Sequence, residues 1–361
     1  MNTSENGIPD PGDLSEAEVA DRIARCKRRL GSDVLILAHH YQRDSIVAVA
    51  DQVGDSLRLA QYAATATAPY VVFCGVHFMA ETADILTGPD QAVLLPELRA
   101  GCSMADMATP DDLDRAWDRL AATVPGRVIP VTYINSAATL KAFVARRGGT
   151  VCTSSNARAV LQWAYSRGDK VFFFPDEHLG RITAFELGVP LSDMLVWDRD
   201  KDLGGHTPEA VRQAKILLWN GYCVVHQMFD VEDIVQWRRK EPDIRVIVHP
   251  ECPFELIRAA DAHGSTEAIA RTIAAAPAGS KWAVGTEINL VSRLAARHPD
   301  KLVESLSPHH ALCANMYKIK PLSVLRVLER LVEGRTENRI TVAKDVAGQA
   351  RVALHRMLSL S

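Results

Sequence analysis

Three cysteines, Cys102, Cys223 and Cys313, stand far apart in the chain, and none has a CxxC partner. Each closes a stretch of similar layout: Glu97-Leu98-Arg99-Ala100-Gly101-Cys102, Trp219-Asn220-Gly221-Tyr222-Cys223 and His309-His310-Ala311-Leu312-Cys313. On this layout the fold gathers one thiol from each of three related units into a single metal site. Three thiolates bind zinc or an iron–sulfur cluster. Structural zinc usually takes ligands in close pairs, whereas isolated cysteines suit a cubane with three irons held by protein and the fourth open. An open iron coordinates substrate oxygens as a Lewis acid.

The other chemically capable residues sit where apolar runs end. His39 and Tyr41, Tyr133 and Asn135, and His249 and Glu251 follow three such runs. Ligands of parallel α/β sheets bind beyond the carboxyl ends of the strands. Ser56, Ser154 and Thr266 occupy expected helix starts, where backbone N–H groups and the helix dipole attract anions. Singly, such a hydroxyl is usually a cap, and a strand-end His or Tyr is usually structure. Here the polar exits, hydroxyls and cysteines recur together three times. Cys26, Cys74 and Cys152 read as buried, inert thiols. Cys252 adjoins Glu251 and has no counterpart in the other units.

The elements that position these residues read as repeated β-α-β-α-β units. First strands are Val34–Ala38, Val128–Tyr133 and Ile244–His249; second strands are Val71–Gly75, Val171–Phe174 and Trp282–Gly285. Third strands are Ala92–Leu95, Met194–Trp197 and Lys301–Glu304. Short continuous apolar runs between helical segments fit buried parallel strands. Strand exit and cap hydroxyl are separated by 17, 21 and 17 residues (His39 to Ser56, Tyr133 to Ser154, His249 to Thr266). The fold class is α/β: three pseudo-symmetric repeats, each a parallel sheet sandwiched by helices, around a central site. The units are residues 14–104, 105–200 and 201–315, after a disordered segment 1–13. The second has an extra helix near Thr207–Leu218. The tail, 316–361, carries two helices, Leu322–Val332 and Lys344–Leu358, that return to pack on the first unit.

Bulk properties narrow the class. A hydrophobic fraction of 47% and a charged fraction of 24% are ordinary for a globular protein. A net charge of -3 argues against general nucleic-acid binding. No apolar run approaches the ~20 residues that span a bilayer, and Met1–Asp13 lacks a signal peptide's basic start and apolar middle. A cytoplasmic location without membrane attachment is expected. The 7 cysteines are then unpaired.

The motifs as they stand resemble quinolinate synthase, the iron–sulfur family of bacterial NAD biosynthesis. They include Leu37-Ala38-His39-His40-Tyr41-Gln42, Val53-Gly54-Asp55-Ser56-Leu57, Phe73 through Thr82 and Gly101-Cys102-Ser103-Met104-Ala105. Val131-Thr132-Tyr133-Ile134-Asn135-Ser136, Thr153-Ser154-Ser155-Asn156, Phe174-Pro175-Asp176 and Gly221 through His226 follow. His249-Pro250-Glu251-Cys252, Val284-Gly285-Thr286-Glu287 and Cys313-Ala314-Asn315-Met316 complete the set. The resemblance implies three α/β domains in a triangle, with a [4Fe-4S] cluster on Cys102, Cys223 and Cys313 and one open iron. It implies condensation of iminoaspartate with dihydroxyacetone phosphate, losing phosphate and two waters, with transient channelling from an L-aspartate oxidase or dehydrogenase. Family substrate positions fall on His39, Tyr41, Ser56, Tyr133, Asn135, Ser154, His226, His249, Glu251 and Thr266. Glu251, Tyr41, His39 and His249 are the expected acid–base residues.

Two departures from the family pattern stand out. The segment between Lys141 and Ser154 is long and carries Arg146-Arg147-Gly148-Gly149, which reads as a surface-loop insertion. His40 stands where asparagine is common. The main alternative is an aconitase-like [4Fe-4S] hydro-lyase acting on another dicarboxylate. A DNA-binding iron–sulfur sensor is disfavoured by charge, and radical S-adenosylmethionine chemistry by the missing CxxxCxxC.

Overall fold

Val34-Leu35-Ile36-Leu37-Ala38 has almost no polar side chain, so only a strand covered on both faces can hold it. In a computed structural model, which describes residues 14–360, this run is the inner strand β1 (Val34–His39). The disorder expected for residues 1–13 lies outside the described residues.

Three sheets are present among the described residues. The first holds β1, β2 (Gln52–Gly54), β3 (Tyr70–Cys74) and β4 (Ala92–Leu94). The second holds β5 (Val128–Tyr133), β6 (Thr150–Cys152), β7 (Lys170–Phe174), β8 (Met194–Trp197) and β9 (Ile216–Trp219). The third holds β10 (Arg245–Val248), β11 (Ala262–His263), β12 (Lys281–Gly285) and β13 (Leu302–Ser305). All pairs within these groups are parallel.

The orders β2-β1-β3-β4, β6-β5-β7-β9 and β11-β10-β12-β13 are the same order three times. A further repeat joins units one and three: Asp51 accepts Ile36 N–H at 2.7 Å, and Asp261 accepts Val246 N–H at 2.7 Å. Each aspartate also donates its own N–H to the same strand residue.

The sequence reading is corrected in the second unit. The sequence reading places Ile216, Leu217 and Leu218 at the end of the second unit's extra helix, Thr207–Leu218. The helix there is Pro208–Gln213, and Ile216-Leu217-Leu218-Trp219 is the fully buried strand β9. It takes the third-strand place assigned to Met194–Trp197, which becomes the extra edge strand β8. A four-residue apolar run has no periodicity that separates strand from helix end. β9 thus belongs to the second sheet, and the loop that follows it carries Cys223.

The tail differs in part too. Helix Pro321–Val332 packs on helix Glu16–Leu30, with an Arg22–Glu329 ion pair, and β14 (Arg339–Ile340) joins β4 antiparallel. Helix Lys344–Ser359, however, packs chiefly on helix Ala138–Arg146 and β6 of the second unit. Thr150 donates to Ala353 O at 3.1 Å, and the Arg356 guanidinium donates to Gly149 O.

This docking explains Arg146-Arg147-Gly148-Gly149, which is a packed turn and not a loose loop. Gly148 has φ +74°, and a Cβ on buried Gly149 would lie 1.9 Å from Pro130 O. Only glycine permits that approach.

Aromatic packing holds the second sheet. Phe172 is fully buried, with ring centroids 5.4 Å from Phe174, 5.7 Å from Trp197 and 6.0 Å from Trp219. Phe172→Ala should cost about 3–5 kcal/mol of stability in urea denaturation. A loss below about 1 kcal/mol would mean that this cluster collapses around the vacancy.

Candidate functional site

The ends of β1, β5 and β10 carry His39, Tyr133 and, one residue on, His249, and all three reach one cavity of about 160 Å³. Its wall holds Cys102, Cys223 and Cys313, with Tyr41, Ser56, Asn135, Ser154, Glu251 and Thr266. Of the residues expected from sequence, His226 alone lies off the wall: it is fully buried behind Glu251.

Glu251 is the hub. One carboxylate oxygen accepts the Tyr133 hydroxyl at 2.5 Å and the Asn135 amide at 3.5 Å; the other lies 2.9 Å from His226 Nδ1. Burial works to raise this carboxyl, but His249, then the hydrogen bond from His226, outweigh it and hold the group at about 2. An ionised carboxylate only accepts, so His226 carries its proton on Nδ1. Its Nε2 then faces the Thr286 hydroxyl at 3.3 Å and the Tyr41 hydroxyl at 3.4 Å, and these two are 2.8 Å apart. One network thus runs from Tyr41 on the wall, through Thr286 and His226, to Glu251 and Tyr133.

His39 and His249 are set by the same local device. Nδ1 of His39 accepts Tyr41 N–H at 3.2 Å, and Nδ1 of His249 accepts Glu251 N–H at 3.3 Å. Each ring therefore bears its proton on Nε2. Burial presses His39 well below the ordinary histidine range and His249 to about 3. Both are neutral N–H donors. Burial, then Glu251, pushes the Tyr41 and Tyr133 phenols well above their usual range, so both keep their protons.

The three thiols converge from the loops after β4 and β9 and before helix Ala314–Tyr317. None is in a disulfide. Burial raises all three, Cys102 to about 12, and Cys102 and Cys223 also feel the charge of other thiols in the set. Such a set becomes thiolate only when a cation shares the site, which fits a metal centre. Cys223, His226 and Glu251 also place one ligand atom each within 4.8 Å of one another. Cys252 lies apart: fully buried, it packs in the third unit's core and donates to Gly285 O at 3.6 Å.

Comparison with known proteins decides the family. The family model described as quinolinate synthetase A protein matches residues 21–359. The chain belongs to the quinolinate synthase family. It is 52% identical over 356 residues to the quinolinate synthase of Herpetosiphon aurantiacus, covering 98% of this chain and 95% of that protein. Identity is 51% over 347 residues to that of Anoxybacillus flavithermus, covering 96% and 94%. To that of Bacillus subtilis it is 48% over 354 residues, covering 97% and 95%. The chain is thus an enzyme of NAD biosynthesis. No helix among the described residues is long and apolar enough to cross a membrane.

Against this quinolinate synthase framework, the hydroxyl caps need correction. The caps are Asp55, which accepts Arg58 N–H at 2.8 Å, and Ser265, which accepts Ala268 N–H at 3.3 Å. Ser56 and Thr266 are the first helical residues, and Ala157 follows Asn156, not Ser154. The Thr266 hydroxyl, buried on the wall, has no protein partner. Capping therefore leaves the hydroxyls of Ser56 and Thr266 unused, as an anchor requires.

Sequence reasoning missed three supports. Thr286 links Tyr41 to His226. Arg293, buried in the third unit, donates to His40 O at 2.8 Å, to Gln42 O and to Asp44 at 2.6 Å, clamping the segment that bears Tyr41. Glu287 accepts Cys313 N–H at 3.4 Å, and burial raises its carboxyl to about 7. The Gly285-Thr286-Glu287 motif was a signal for two of them; Arg293 had none. His40, the family departure, meets Glu267 at 2.9 Å and ties units one and three.

Proposed function

We propose that this member of the family condenses iminoaspartate with dihydroxyacetone phosphate to quinolinate, losing phosphate and two waters. The observation that carries the reading is one cavity shared by three thiols, neutral imidazole donors, spare hydroxyls and an ionised glutamate. Cys102, Cys223 and Cys313 would hold a [4Fe-4S] cluster. When bound, it supplies a Lewis acid at an open iron for expelling hydroxide.

The chain's own groups divide the remaining work. Glu251 takes protons at substrate carbon, with its carboxylate held in place by the Tyr133 hydroxyl and His226. Tyr41 returns protons through its link to Thr286 and His226. His39 and His249 donate Nε2–H to phosphate or leaving oxygens. Tyr133 and Asn135 steady Glu251 and the substrate carboxylates. Ser56, Ser154 and Thr266 receive anionic oxygens. His226 orients Glu251 from behind. The proposed setting is the cytoplasm, with iminoaspartate passed from an L-aspartate oxidase or dehydrogenase.

Anaerobically purified protein should contain about four irons per chain, little zinc, and form quinolinate from the two substrates. A colourless protein with stoichiometric zinc would overturn the reading. Dehydration of a simple dicarboxylate without quinolinate would favour the hydro-lyase.

A further inference from the structure

One hydrogen-bonded chain crosses all three units beside the cavity. Ser155 Oγ lies 2.6 Å from Asp55 Oδ2 and 2.8 Å from Ser265 Oγ. Asp55 belongs to the first unit, Ser155 to the second and Ser265 to the third. Asp55 and Ser265 are buried, at 5% and 3% exposure, while Ser155 is exposed.

Chemistry fixes the direction. The carboxylate only accepts, so the Ser155 proton goes to Asp55. Ser265 must then give its proton to Ser155. Ser265 in turn accepts Ala268 N–H, and Asp55 Oδ1 accepts Arg58 N–H. The chain runs from the start of helix Thr266–Ala275 to the start of helix Ser56–Thr65.

Its members have notable covalent neighbours. Asp55 precedes Ser56, Ser155 follows Ser154 and Ser265 precedes Thr266. Each of the three hydroxyls on the cavity wall is thus one residue from a link in the chain. We infer that Asp55, Ser155 and Ser265 are positioning residues that fix the mutual spacing of Ser56, Ser154 and Thr266, and so the enzyme's affinity for multiply anionic ligands. The inference rests on the anchor role given to those hydroxyls above.

Breaking the chain should weaken anion binding without touching the acid–base groups. The lost charge-assisted bond holds the anchors and not the ligand, so only part of its value reaches binding, roughly 5- to 20-fold. The test uses cluster-loaded protein and two probes, inorganic phosphate and succinate, titrated by calorimetry beside steady-state kinetics. Ser155→Ala should weaken at least one probe about tenfold and raise KM similarly, with kcat held within about threefold. Ser155→Thr, which keeps the hydroxyl, should restore both. Being exposed, Ser155 can be replaced with little risk to folding, and iron content reports that the cavity is intact. Normal binding in Ser155→Ala, with weakened binding in Ser56→Ala or Thr266→Ala, would overturn the inference and leave the anchors standing. Normal binding in all three variants would overturn both. A fall in kcat alone would also defeat it.

Discussion

Cys223→Ser should leave the protein nearly without iron and visible colour when purified anaerobically, and should lower quinolinate formation by at least about 100-fold. That floor is the upper range for losing an outer-shell partner of a metal, and Cys223 is proposed as a ligand itself. The three thiols meet on one cavity wall, so removing one leaves only two to hold a cluster. A hydroxyl is a hard, weakly acidic replacement where iron–sulfur chemistry selects soft thiolate. Cys102→Ser and Cys313→Ser should behave alike. Cys252→Ala should keep its iron, because that thiol faces Gly285 O in a core. Iron and sulfide content check the set. Full iron in Cys223→Ser, or its loss in Cys252→Ala, would reassign the ligands.

Recurrence made most of the site legible. Apolar runs marked the inner strands because parallel sheets bury both faces, and polar exits marked the strand ends where ligands bind. Cysteine spacing followed, since each thiol lies beyond the last inner strand of its unit. The short strands β2, β6 and β11 left no signal, since two or three residues carry no period. β9 was hidden by the helix-like run before it. Two hydroxyl caps were misplaced by one residue because Asp55 and Ser265 cap as well as serine or threonine at the next position, and Ser154 lies two residues before the cap Asn156. Arg293 was invisible for a different reason. Its partners are backbone carbonyls and an aspartate about 250 positions away, and only the folded chain brings them together.

Glu251→Gln should lose turnover by roughly 10²- to 10⁴-fold, the range for removing a general base, while iron content stays unchanged and ligand affinity moves by only a few-fold. Glutamine fills the same volume, and its carbonyl oxygen still accepts the Tyr133 hydroxyl. Its amide, however, meets His226 Nδ1–H donor to donor, across what is now a 2.9 Å contact. His226 must then move its proton to Nε2, where one of the mutually bonded Tyr41 and Thr286 hydroxyls was donating. The substitution therefore removes the base and reverses the network behind it, without altering the cavity's shape. The product formed in a single turnover, set against calorimetric affinity for a dicarboxylate, separates chemistry from binding. A His226→Gln variant adds a control: it should lower turnover less than Glu251→Gln, since His226 orients the carboxylate and lies off the cavity wall. Turnover within about threefold of the unsubstituted enzyme in Glu251→Gln would take the carboxylate out of the mechanism. Tyr41, the other acid–base group at the head of the same network, would then be the group to test.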